Sequence, residues 1–222
     1  MGFSEQEETG ENQQSSMRLE SRAQEPLFMM YCSPEFQEKM LENFWLELLQ
    51  AEIQGDTTDV HQVMRQKMDL IVPALGDAII QYMQENCAQY PDKAEEFSSS
   101  VHKTCVSIQY FPYGRRMEVL EIAIRGYGVV CDLLPNHHKQ WAITQNNLGL
   151  AYSERLQGER SENLEKAITC YESALEVLTQ SNYAELWAMT QYNLGIVYSD
   201  RLRGERSENL EKAITCHESA LE

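Results

Sequence analysis

The stretch WAITQNNLGLAYSERLQGERSENLEKAITCYESALE, residues 141–176, returns as WAMTQYNLGIVYSDRLRGERSENLEKAITCHESALE, residues 187–222. Of 36 aligned positions 29 are identical, and Trp141 and Trp187 mark a period of 46 residues. Chance does not produce such a match, so the second half of the chain is a tandem array, and its unit decides the architecture.

Each unit predicts two helices. The first runs from about Gln140 to Leu156, with Ile143, Leu148, Tyr152 and Leu156 at helical spacing. The segment QGERSEN interrupts it: Gly158 breaks the pattern, Ser161 offers an N-cap, and Glu162 and Glu165 suit the positive end of the next helix dipole. The second helix is expected over about Glu162 to Leu178, with Leu164, Ala167, Ile168, Tyr171, Ala174, Leu175 and Leu178 as its apolar stripe. QSNYAE is a polar connector. Neither helix can bury its stripe alone, whereas stacked pairs can.

The pattern L-G-x-x-Y followed by A-x-x-x-aromatic-x-x-A resembles the tetratricopeptide repeat (TPR). It is carried by Leu148, Gly149, Tyr152, Ala167, Tyr171 and Ala174, and again by Leu194, Gly195, Tyr198, Ala213, His217 and Ala220. The unit is longer than the usual 34 residues, by about six in the Tyr152–Ala167 gap and about six in the connector. HEAT and armadillo repeats have nearly this period but lack L-G-x-x-Y on the first helix. Upstream, Gly114, Arg116, Leu120, Ala123, Ile124 and Tyr127 match Gly158, Arg160, Leu164, Ala167, Ile168 and Tyr171 at a constant offset of 44. Residues 94–136 are therefore a degenerate unit. Its first helix spans about Ala94 to Tyr110, with Cys105 in the glycine slot.

The expected fold class is all-α: a helical leader, then an α-α superhelical TPR solenoid with long, 46-residue repeats. Residues 1–25, with six Glu against two Arg and few apolar residues, are expected to be a disordered acidic tail. Residues 33–93 form an N-terminal helical region. It has a helix from Ser33 with Phe36, Met40, Phe44, Leu48 and Ile53 near one face, a GDTTD turn, a helix over Val60–Val72 ended by Pro73, and a helix over Ala74–Gln89. Residues 140–222 hold two long repeats, the last incomplete. The apolar face of that last unit, including Ile214 and Leu221, is expected to be partly bare, and to meet another copy, a partner or a continuation.

Lys and Arg total 18 against 35 Asp and Glu, a formal net charge of −17. Nucleic acid and anionic membrane surfaces are poor partners for such a chain, and basic proteins or peptides are better ones. No apolar run approaches the roughly 20 residues of a membrane helix. The opening sequence has no secretory pattern, so a cytoplasmic location with reduced thiols is expected for Cys32, Cys87, Cys105, Cys131, Cys170 and Cys216.

No catalytic constellation emerges. Cys170 and Cys216 are repeat-equivalent and sit beside packing aromatics, which marks structural thiols. His137-His138 lacks ligands at metal spacing, so neither a metal nor any other cofactor is expected. His61, His102 and His217 are assigned no chemistry. G-E-R-S-E-N lacks a phosphate loop's pattern, and Arg160 and Arg206 are expected to bridge to acids or loop carbonyls.

The informative face is that of the first helices. The TPR resemblance implies a groove there in which the residue before L-G, Asn147 or Asn193, hydrogen-bonds an extended peptide. The candidate groove residues are Asn146, Asn147, Leu150, Tyr192, Asn193 and Ile196. The other reading is that Asn147 and Asn193 tie neighbouring helices together, and the sequence leaves both open. Basic residues that would hold a carboxylate tail are missing there. The leader, Phe111-Pro112-x-Gly114-x-Arg116, W-A-x-T-Q and G-E-R-S-E-N-L-E also resemble bacterial, notably cyanobacterial, TPR proteins that often precede a caspase-like CHAT peptidase domain. The expected function is a non-enzymatic protein-interaction scaffold. The alternative is a regulatory or sensor module of a larger or split CHAT-type effector.

Overall fold

The computed structural model describes residues 33–221. The acidic tail expected over 1–25, and Cys32, lie outside them. The chain divides after Leu41 into two compact units. Of the first, the described part is Ser33, whose hydroxyl accepts the Phe36 amide at 3.2 Å, and the opening of helix α1.

The described residues are helical throughout, without a strand. The α-helices are α1 (Pro34–Gln54), α2 (Thr57–Gln66), α3 (Leu75–Gln89), α4 (Ala94–Gln109), α5 (Arg116–Leu133), α6 (Lys139–Glu154), α7 (Arg160–Leu175), α8 (Gln180–Asp200) and α9 (Arg206–Ser219). Short 3₁₀ turns cover Met68–Leu70 and Pro91–Lys93.

The leader departs from expectation in two places. In α1 the buried residues are Phe44, Trp45, Leu48 and Leu49, while Ile53 is 65% exposed. At 100° per residue Ile53 lies about 110° from the centre of that buried arc. The helix expected over Val60–Val72 instead ends at Gln66, where Lys67 leaves helical geometry, and a 3₁₀ turn leads to Pro73. The GDTTD turn does cap α2: the Asp56 carboxylate accepts the Thr58 amide at 2.7 Å, and Asp59 accepts the Asp56 amide at 3.3 Å.

Three helix pairs follow: α4/α5, α6/α7 and α8/α9. Their second helices open at Arg116, Arg160 and Arg206, at the offsets of 44 and 46 that the sequence carries. Each helix packs on the next, and the first helices also touch one another, α4 on α6 and α6 on α8. The stripe Leu164, Ala167, Ile168 and Tyr171 of α7 is buried against Leu194, Val197 and Tyr198 of α8 and Ala213 and Cys216 of α9.

The loops between paired helices are held differently from the expected Ser161 cap. Glu159 and Glu205 are the residues before the helices, and no side chain caps either. Gly158 and Gly204 instead turn the chain at φ of +76° and +78°, a region costly for other residues. Asn163 and Asn209, both buried, reach back to the carbonyls of Gln157 (2.7 Å) and Arg203 (2.8 Å). The QSNYAE connector is itself a helical turn, joined to the rest of α8 across a break at Tyr183.

The paired helices cross at very short range. A Cβ on Gly149 would meet the Tyr171 ring at 2.9 Å, and one on Gly195 would meet His217 at 2.7 Å. In α4 the glycine slot holds Cys105, which is fully buried, and the missing side chain is on the facing helix: a Cβ on Gly126 would lie 2.2 Å from Cys105 Sγ. The two helices have exchanged which one gives way. We therefore expect Gly126→Ala to cost about 1–3 kcal/mol by overpacking. Adding Cys105→Ala to that variant should return more than half of the loss, because the clashing sulfur is gone. Chemical denaturation of the two single variants and the double variant measures this coupling.

Candidate interaction surface

The first helices of the three pairs present the same positions at the same offsets. One row is His102, Asn146 and Tyr192, and the next is Lys103, Asn147 and Asn193. These rows are knitted by directional hydrogen bonds. Asn193 Nδ2 donates to Asn146 Oδ1 (3.4 Å), Asn146 Nδ2 to Asn147 Oδ1 (3.2 Å), and Asn147 Nδ2 meets His102 Nε2 (3.2 Å). His102 Nδ1 lies 3.0 Å from Thr144 Oγ1, whose hydroxyl donates to the Gln140 carbonyl at 2.8 Å. With an amide N–H pointing at Nε2, the ring must be neutral and carry its proton on Nδ1. Burial, and then the nearby Lys103 ammonium, hold the imidazole down at about 4. The Tyr127 ring packs against it, 5.5 Å between centroids.

Asn147 and Asn193 thus tie neighbouring first helices together, one of the two readings that the sequence leaves open. Asn146 is buried, and Asn147, Leu150 and Asn193 are half-buried. Tyr192 and Ile196 are exposed, and Tyr192 leans on His217 with 5.4 Å between ring centroids. The candidate residues do share one face. Two apolar rows flank the amides: Ile143 and Met189 on one side, and Val106, Leu150 and Ile196 on the other, all half-buried or exposed. His102, to which the sequence reading gave no role, anchors the ladder. Its alignment with Asn146 at the 44-residue offset was the available signal.

A second set of contacts joins unit to unit. At the end of α6, Glu154 pairs with Arg116 of α5, while Arg155 forks onto Glu121 at 2.7 and 2.8 Å. At the end of α8, Asp200 pairs with Arg160 of α7 at 3.5 Å, while Arg201 forks onto Glu165 at 2.8 and 2.7 Å. An acid–arginine dipeptide thus fastens α6 and α8 each to an Arg and a Glu five residues apart on the preceding second helix. Arg201 draws the Glu165 carboxyl below its ordinary value, chiefly through that hydrogen-bonded fork. Arg160 and Arg206 also donate to the carbonyls of Ser153 and Ser199, as expected of them.

The thiols are poor nucleophiles where they sit. Burial pushes Cys170 up to about 12 and raises Cys105 and Cys131 still further. His61 is spent on the Ser107 carbonyl at 2.7 Å, and His138 lies 3.7 Å from Glu95. Among the described residues no three His, Cys, Asp or Glu side chains gather as a metal ion requires, and no helix is long and apolar enough to cross a membrane. No protein-family model, curated protein or solved structure matches this chain.

The ladder makes stability depend on pH in a definite direction. In the unfolded chain His102 titrates near 6.5, and in the folded one near 4. Its contribution is whole above pH 6.5 and is lost as the pH falls from 6.5 toward 4, by about 3 kcal/mol in full. His102→Asn places there the residue that the next unit uses. Between pH 7 and 4 the variant should lose less stability than the parent, as urea midpoints measured across that range will show. Parallel profiles would remove His102 from the account.

Proposed function

We propose that the chain is a TPR-type solenoid serving as a non-enzymatic scaffold, which binds an extended peptide or protein segment across α4, α6 and α8. The observation that carries this is the surface on which apolar positions flank Asn147 and Asn193 on both sides in α6 and again in α8, with Val106 extending one flank onto α4. An extended peptide alternates side chains and backbone groups. Apolar rows suit the former, and an amide, with a donor and an acceptor, suits the latter. The ladder uses only part of each amide's capacity: Asn193 spends one N–H on Asn146 and keeps its carbonyl oxygen. The buried, high-pKa thiols support a binding role over nucleophilic catalysis. The net charge of −17 favours ligands rich in Lys and Arg.

The test is selection of peptides from a random display library on the full chain. Selected peptides should be basic with spaced apolar residues. Exchanging Leu150 and Ile196 together for Ser should weaken their binding by about tenfold or more while the helical circular dichroism stays unchanged. Binders that ignore both this exchange and Asn193→Ala would end the reading.

A further inference from the structure

We propose that a cavity between α1 and α3 is a site for the arginine side chain of a partner polypeptide. It belongs to the leader helices and does not depend on the peptide surface proposed above.

The sequence sets the lining on one stripe of each helix. Glu42, Trp45 and Leu46 supply it from α1, and Gln81, Tyr82 and Glu85 from α3, each set at helical spacing. The cavity between them measures about 130 Å³. The Trp45 and Tyr82 rings meet edge to face with 6.0 Å between centroids, and Phe97 packs on Tyr82 in the same way at 6.3 Å. Trp45 is 1% exposed, Tyr82 and Glu42 are half-buried, and Glu85 is exposed. The inner wall is thus aromatic and the outer wall acidic.

Two unmet demands meet there. Glu42 and Glu85 line one small cavity, and among the described residues no cation pairs with either. Their neighbours on the same helices differ: Glu47 of α1 takes Lys67, and Asp77 of α3 takes Arg125. Glu85 accepts one N–H of Gln81 at 3.0 Å, which leaves its second oxygen and the Gln81 carbonyl oxygen as further acceptors. The other demand is that of Trp45, whose indole N–H is buried and donates to nothing among the described residues. Such an orphan donor is uncommon in a folded interior and calls for an acceptor.

The occupant's chemistry has precedent in the same fold. Arg155 forks onto Glu121 with its guanidinium 6.0 Å from the centre of the Tyr152 ring. Arg201 forks onto Glu165 and lies 5.8 Å from the centre of the Tyr198 ring. Twice, then, a carboxylate and a tyrosine hold one arginine. Glu42, Glu85 and Tyr82 offer the same groups without one. A guanidinium is flat, carries five donors and sheds its hydration more easily than an ammonium, so it suits several acceptors beside a ring. A polypeptide also brings carbonyls, the acceptor that the Trp45 N–H lacks. Leu46, 48% exposed, gives an apolar shoulder for the residue next to the arginine. Free arginine fits less well, because the two glutamates repel its own carboxylate. The net charge of −17 draws a basic segment toward the site.

The probe is the peptide acetyl-Leu-Arg-Leu-amide, titrated into the full chain and followed by the indole N–H signals of the three tryptophans in NMR spectra. We expect the Trp45 signal alone to move, with saturation at millimolar peptide. Replacing the arginine by citrulline, its neutral isostere, should weaken binding about tenfold. In the chain, Glu42→Gln and Glu85→Gln together should do the same. Tyr82→Leu should weaken binding about threefold, while Tyr82→Phe, which keeps the ring, leaves it unchanged. Neither glutamate holds a cation within the fold, so the double variant should keep the parent's circular dichroism. Absence of saturation, equal binding of the citrulline peptide, or binding indifferent to the two glutamates overturns the proposal. So does free arginine binding as tightly as the tripeptide, because the site would then take a small molecule.

Discussion

Everything described here depends on how closely the two helices of a pair approach each other. At Gly149 and Gly195 the facing ring stands where a Cβ would be, so the first helix must be bare at that point. The degenerate pair shows that the requirement concerns space, not a residue type. Cys105 fills the slot on one helix and Gly126 empties the facing position on the other. Once the crossing point is fixed, the register of each pair is fixed. The stripe on the second helix is then presented at a set height to the next first helix. Interiors packed to crystal-like density tolerate little slack in such a stack.

Apolar burial brings the pairs together, but it is not directional, and helices with similar stripes can slide past one another by a turn. The polar contacts between units remove that freedom. The ladder from Asn193 to Gln140 runs through five hydrogen bonds and closes only with a neutral His102. The acid–arginine dipeptides add a fork whose planar geometry accepts one partner position. Both devices use side chains that are buried or half-buried, His102, Thr144, Asn146 and Glu121 among the buried ones, where an unmade bond costs more than the bond contributes when formed. They act mainly against wrong registers.

The helices and their pairing were legible in the sequence because a repeat of 36 positions with 29 identities supplies the phase that a single helix does not. What escaped lay where the signal was single or long-range. Ile53 has the right residue type and nearly the right spacing, but the buried arc of α1 is set by Trp45 and Leu49, whose partners lie elsewhere in the chain. Ser161 has the composition of a cap, yet Asn163 two residues later holds the loop, since a longer side chain reaches the Gln157 carbonyl behind Gly158. His102 reads as an isolated histidine until the offset of 44 places it beside Asn147. The forks Arg155–Glu121 and Arg201–Glu165 span 34 and 36 residues, a separation that no local pattern announces, although equal spacing in two units would have exposed them as a pair.

The arrangement also determines what the surface can attract. Arg116, Arg155, Arg160 and Arg201 are each paired with a carboxylate between units, and Arg125 and Lys67 are paired with Asp77 and Glu47. These six cations are spent on holding the fold, and over the whole chain carboxylates outnumber Lys and Arg nearly two to one. A field that is acidic beyond each neutral joint draws basic segments toward the chain, with a reach of roughly 8 Å in physiological salt. Within that reach geometry would do the sorting: the extended ligand we propose would match the positions that α6 and α8 repeat.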